Sequence, residues 1–201
     1  MAKKNVYVFG GGKADGRADM KNLLGGKGAN LAEMASLGIP VPAGFTITTE
    51  MCTEYYANKG KLPEYLVAEV KKAMAQVEKI MGKKYGDAKN PLLVSVRSGA
   101  RKSMPGMMDT VLNVGLCPAT IPGLIAKSGD ERVVYDAYRR LIMMYADVAM
   151  EKASDMDVAD GQGVRLKLEH AMDALKAKRG ITEDTDMTAD DLKKLCEEFK
   201  A

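Results

Sequence analysis

The sequence predicts an α+β fold over residues 1–115, followed by a helical subdomain over residues 116–201. Short alternating runs rich in β-branched residues, each next to glycine or proline, recur before Gly115 and read as strands. Between them lie stretches whose apolar positions repeat every three or four residues, the period of a helix with one buried face. Past Gly115 the alternation stops and only the helical period remains.

Val6-Tyr7-Val8-Phe9 forms the first strand and runs into Gly10-Gly11-Gly12. A helix over Leu31–Leu37 is expected to begin near Gly28 and stop at Gly38. Ile39-Pro40-Val41-Pro42 is an extended connector, because each proline biases its predecessor away from helix. The run from Gly44 to Thr48 alternates and reads as a strand, and Thr49 is placed to cap a helix over Met51–Tyr56. Pro63 suits the first turn of a helix whose face is Leu66, Val70, Ala73, Val77 and Ile80.

Leu92–Val96 reads as a strand with Leu92, Val94 and Val96 on one face and Leu93, Ser95 and Arg97 on the other. A loop from Gly99 to Met108 leads to a further strand over Thr110–Val114. In the helical part Val134, Tyr138, Leu141, Tyr145 and Val148 make an apolar stripe, in which the tyrosines read as core or boundary residues. A helix over Leu166–Leu175 ends by Gly180. Thr188 caps a last helix with the face Leu192, Leu195, Cys196 and Phe199. That helix runs to Ala201 without a stop signal, so the chain reads as cut short, its helical subdomain incomplete at that end.

At 201 residues, 46% hydrophobic and 28% charged, the chain fits a soluble globular protein expected in the cytoplasm, with no apolar run able to cross a bilayer and no signal peptide. Cys52, Cys117 and Cys196 are odd in number and far apart, which favours reduced thiols. With one histidine and no ligand pair at metal spacing, no metal site is expected. Residues 1–113 carry 17 Lys and Arg against 10 Asp and Glu, a bias that suits an anionic ligand or merely an uneven spread of solvated lysines. The basic residues form no tract interleaved with aromatics, so nucleic acid is not an expected partner.

Two loops carry candidate chemistry. In Leu24-Gly25-Gly26-Lys27-Gly28-Ala29-Asn30, glycines allow backbone N–H groups to approach a ligand and Lys27 supplies a mobile charge for a phosphate oxygen. The same residues also suit a permissive turn with an exposed lysine. The second loop runs from Val94 through Arg97 to Thr110. Arg97, at the end of an expected buried strand, suits either a two-pronged phosphate contact or an ion pair with Asp109. Gly106 lets the chain pass close to a ligand, and the Thr110 hydroxyl can donate a hydrogen bond. His170, on a charged helix, reads as a surface residue.

LLGGKGANLAEMASLGIPVPAGFTITTE, PLLVSVRSGARKSMPGMMDTVLNVGL and YDAYRRLIMMYADVAME together closely resemble the N-terminal region of the pyruvate, phosphate dikinase family, and TDMTADDLKKLCEEFK resembles the family further along. The likeness loosens at residues 60–85 and 152–165. It implies a partial ATP-grasp-like nucleotide-binding domain, with Lys27 and Arg97 on ATP phosphates and Gly106 and Thr110 along the nucleotide, Arg97 also serving transfer. It further implies the reaction ATP + phosphate + pyruvate to AMP + pyrophosphate + phosphoenolpyruvate through a phosphohistidine on another domain. Mg²⁺ ligands, that histidine, the pyruvate site and the dimer contact of a homodimeric parent enzyme are implied to lie outside this region, leaving the chain alone inactive. The alternative is a non-catalytic module that binds nucleotide or pairs with a dikinase.

Overall fold

In a computed structural model of the chain, residues 3–99, 110–151 and 163–200 are described. They form two compact units, residues 3–84 with 98–99 and residues 85–97 with 110–151 and 163–200.

The first unit is built on a three-stranded antiparallel sheet. Strand β1 (Val6–Gly10) is central, flanked by the short β2 (Lys13–Ala14) and by β3 (Gly44–Ile47). Val6 faces Ile47 and Phe9 faces Gly44 in the register. Helices α1 (Lys21–Ser36), α2 (Glu50–Ala57) and α3 (Glu64–Met81) complete the unit. Val6, Met51, Leu66 and Ala73 form its core, with Val8, Phe45 and Val70 packed around them. The expected face of α3 is present, since Leu66, Ala73 and Val77 are buried, but Ile80 at its end is 44% exposed. Gly82 ends α3 in the left-handed conformation, which costs glycine nothing.

In the second unit, β4 (Val94–Arg97) and β5 (Thr110–Val114) make an antiparallel ribbon. Val94 pairs with Val114 and Val96 with Val111, so Ser95 alone stands against both Leu112 and Asn113. Asn113 absorbs this bulge at φ 58°, a left-handed conformation that asparagine tolerates better than most residues. The strand expected from Leu92 begins at Val94, and burial fails along it: Leu92 is buried, whereas Val96 is 53% exposed and Arg97 is exposed. A two-stranded ribbon leaves part of its surface uncovered: Leu92, Val111 and Leu116 are buried, while Val96, the pairing partner of Val111, is not.

Among the described residues, four α-helices follow in this unit: α4 (Ile121–Ser128), α5 (Glu131–Tyr145), α6 (Val164–Arg179) and α7 (Ala189–Glu198). Helix α5 continues into a π-helical turn, Ala146–Glu151. Asp130 caps α5 by accepting from the Val133 amide. Thr188 and Asp191 make a reciprocal capping box at α7, each side chain accepting from the other's backbone amide. Val134, Tyr138 and Leu141 of the expected stripe are buried with Val111, Leu116, Ile121 and Cys196, while Tyr145 is 55% exposed. Leu192, Leu195 and Cys196 are completely buried, and each leucine side chain removed from water contributes about 1.5–3 kcal/mol.

Arg139 lies inside this unit at 3% exposure. It donates to Asp136 and, at 3.3 Å, to Asp184, and a further N–H points at the sulfurs of Met143 and Met172. Lys176 pairs with Asp184 and Arg140 with Asp136. Arg132 donates to the carbonyls of Asp184 and Met187, so α5 and α6 together hold the turn that leads into α7. No described helix is long and apolar enough to cross a membrane.

Candidate functional site

The glycine-rich stretch lies within α1 and breaks it. Gly25 takes φ 69° and ψ 167°, far from helical values, so Lys21–Leu24 form a separate turn and a second helical segment starts at Gly26. That start is two residues earlier than the spacing of apolar residues indicated. A side chain at Gly25 would be strained in this conformation, which explains why glycine stands there. Gly28 is needed for a different reason, since a Cβ there would sit 2.7 Å from the Thr46 side chain on β3. Gly26, by contrast, has nothing within 4 Å of a would-be Cβ, which leaves its backbone approachable.

Lys27, in the first turn after the break, is exposed. Its ammonium donates to the Ser98 carbonyl at 3.3 Å, a long contact, and it has no carboxylate partner among the described residues. A lysine whose acceptor among the described residues is a neutral carbonyl, beside the N-terminal amides of a helical segment, presents positive potential to solvent.

Thr49 differs from expectation. It stands at the start of α2 but makes no side-chain cap there. Its hydroxyl donates instead to the Asn22 carbonyl at 2.7 Å, and its amide donates to the Leu23 carbonyl at 2.8 Å. Neither Thr46 nor Thr49 stood out in the sequence as part of the glycine turn. The one signal was a threonine-rich strand end, Thr46-Ile47-Thr48-Thr49, that strand propensity alone explained.

Arg97 and Thr110 belong to the second unit, where they are opposite each other in the β4–β5 ladder. Directly paired residues project to the same face, so the fold brings these two candidates together. The Arg97 Nε is 3.4 Å from Ser95 Oγ, and the side chain is exposed. Gly106 and Asp109 lie outside the described residues. His170 is exposed on α6, as its charged neighbours suggested. Among the described residues no three His, Cys, Asp or Glu side chains converge as metal ligands, so these residues offer Mg²⁺ no cluster.

A broken helix with approachable glycine amides and an outward lysine has the character of a nucleotide-binding domain. Residues 21–64, from the start of α1 into α3, match the family model described as pyruvate phosphate dikinase, AMP/ATP-binding domain. Pyruvate, phosphate dikinase of Clostridium symbiosum is 51% identical over 198 residues, covering 98% of this chain and 21% of that protein. The chloroplastic pyruvate, phosphate dikinase 1 of Arabidopsis thaliana is 47% identical over 202 residues, covering 100% and 20%. Its counterpart from Zea mays is 50% identical over 198 residues, covering 98% and 20%. The chain is therefore homologous to the N-terminal, AMP/ATP-binding part of the pyruvate, phosphate dikinases, and it spans about a fifth of the length of these relatives.

Proposed function

We propose that the chain supplies phosphate-binding groups to an ATP-grasp-like ATP site of a pyruvate, phosphate dikinase. Lys27 and Arg97 each neutralise ATP phosphate oxygens, while Gly106 and Thr110 run along the nucleotide. The observation that carries this reading is the exposed Lys27 ammonium in the first turn after the Gly25 break, within the stretch that matches an AMP/ATP-binding domain. Phosphoryl transfer depends mainly on positioning and on neutralising charge spread over the phosphate oxygens, and a lysine and an arginine supply both. Arg97 adds a planar fork able to hold two oxygens at once.

The reaction served is that of the relatives by name, in which ATP, phosphate and pyruvate give AMP, pyrophosphate and phosphoenolpyruvate through a phosphohistidine. The histidine, the Mg²⁺ carboxylates and the pyruvate site come from parts of the homodimeric relatives that this chain does not match. By itself the chain binds ATP weakly and turns nothing over. Calorimetric titration with ATP, with and without Mg²⁺, tests the reading on the unaltered chain, Lys27→Ala and Arg97→Ala. Binding lost in either variant, with the fold intact by circular dichroism, supports it. Equal binding by all three chains contradicts it.

A further inference from the structure

We infer that Thr46 is a positioning residue for the phosphate-binding turn: its side chain is the seat on which Gly28 rests, and that contact sets where the neighbouring Lys27 stands. The inference rests on the reading of the Lys27 turn as the phosphate site. Strand β3 alternates across the sheet. Phe45, paired with Val8, packs on the core that holds Leu66 and Ala73 of α3, so the next pair, Thr46 and Tyr7, faces the opposite side. There the second helical segment of α1 lies against the strand, with Gly28 buried where the two meet.

A Cβ built on Gly28 would stand 2.7 Å from Thr46 Cγ2, 2.7 Å from Thr46 Oγ1 and 3.2 Å from Thr46 Cβ. Both γ atoms therefore face Gly28, and the hydrogen on Cβ points away. A threonine fills two of its three staggered positions in every rotamer, so no rotation of Thr46 clears both places. The strand is not free to retreat, because Thr46 is paired with Tyr7 in the ladder. The helix gives way instead. Relief from 2.7 Å to ordinary contact at 3.4 Å moves residue 28 by about 0.7 Å. Binding groups have to be held within about 0.5 Å of their working geometry. Lys27 is the adjacent residue, so the displacement passes into the turn that carries its ammonium.

The test titrates ATP into the full isotope-labelled chain, with affinities read by NMR well below the thermal midpoint. Gly28→Ala is expected to bind ATP about ten- to a hundredfold more weakly, although Lys27 and its charge are intact. Thr46→Ala removes both γ atoms and leaves only the 3.2 Å contact. In that background Gly28→Ala is expected to cost little, so the two changes are strongly non-additive. Thr46→Val keeps both γ positions filled and is expected to give no such relief, since bulk and not the hydroxyl makes the seat. A clash that only weakened the fold would lower the melting temperature and leave the affinity of the folded chain unchanged.

Unchanged ATP binding in Gly28→Ala, while Lys27→Ala weakens it, overturns the inference and leaves the phosphate reading standing. Weakened binding that Thr46→Ala does not relieve also overturns it, and assigns Gly28 to direct contact with the nucleotide. Equal relief by Thr46→Val overturns it too. Unchanged binding in Lys27→Ala overturns the phosphate reading itself. Should Gly28→Ala alone fail to fold, the Gly28→Ala/Thr46→Ala chain decides: binding equal to that of Thr46→Ala supports the inference, and lost binding overturns it.

Discussion

Lys27 and Arg139 are two cations with opposite surroundings. Arg139, in the helical unit, is 3% exposed and donates to two carboxylates and toward two methionine sulfurs. Lys27, in the sheet-based unit, is exposed and, among the described residues, reaches the Ser98 carbonyl at 3.3 Å. The first has its charge consumed by the fold. A cation whose partners are complete is a strut, whereas the cation at the helix break is the one we propose as a binding group. The difference lies in the partners, because neither residue type nor local sequence separates the two cases.

The sharpest way to break this contrast is to remove each cation in turn. Arg139→Ala leaves Asp136 and Asp184 short of a buried partner and is expected to destabilise the chain by about 3–5 kcal/mol, read as a large fall in thermal midpoint. Lys27→Ala should change stability by no more than about 0.5 kcal/mol, yet weaken ATP binding by about ten- to a hundredfold, the worth of a charge-assisted bond. A chain that melts early without Lys27, or tolerates the loss of Arg139, would erase the distinction.

Acid sharpens the same comparison. Burial works to raise the Asp136 carboxyl, but the bonds from Arg139 and Arg140 outweigh it and hold it below the ordinary carboxylate range. Asp184 is held low by the Lys176 hydrogen bond first, with the nearby arginines adding to it against some burial. A carboxyl lowered in the fold favours folding above its unfolded value near 4, and that contribution is lost as the pH falls through the lowered value. The helical unit is therefore expected to lose stability below about pH 4 in acid titrations followed by circular dichroism. Asp136→Asn should flatten that loss.

Thiol chemistry makes the smallest demand on stability and still separates the regions. Burial pushes the Cys196 thiol up to about 12, so it stays protonated and inert at neutral pH. Cys52 on α2 is exposed. A thiol reagent is expected to label Cys52 in the native chain and Cys196 only after unfolding, counted by mass spectrometry.

Much of the helical unit was legible in the sequence. The Thr188 capping box, the buried face of Leu192, Leu195 and Cys196, and the exposure of His170 all follow from periodicity and cap chemistry, which act within a few residues. Asp136 and Arg139 are also close enough on one helix to be suspected as a pair, but Asp184 reaches them from 45 residues away through tertiary packing. The glycine turn shows the same limit. Its lysine and glycines could be picked out, whereas the Gly25 break and the Thr49 bonds that satisfy it depend on α2 returning to the carbonyls of residues 22 and 23. The exposure of Val96 and Arg97 is hidden in the sequence for a further reason. An alternating run states which residues share a face, and only the neighbours decide whether that face is covered.

Where ATP touches the chain decides between these readings of Lys27. The direct measurement is an NMR titration of the isotope-labelled chain with ATP, following backbone amide shifts. Saturable shifts that include Gly26, Lys27 and Gly28, and that disappear in Lys27→Ala, are expected. Saturable binding that leaves those three amides unmoved would contradict the reading of Lys27 as a phosphate-binding group.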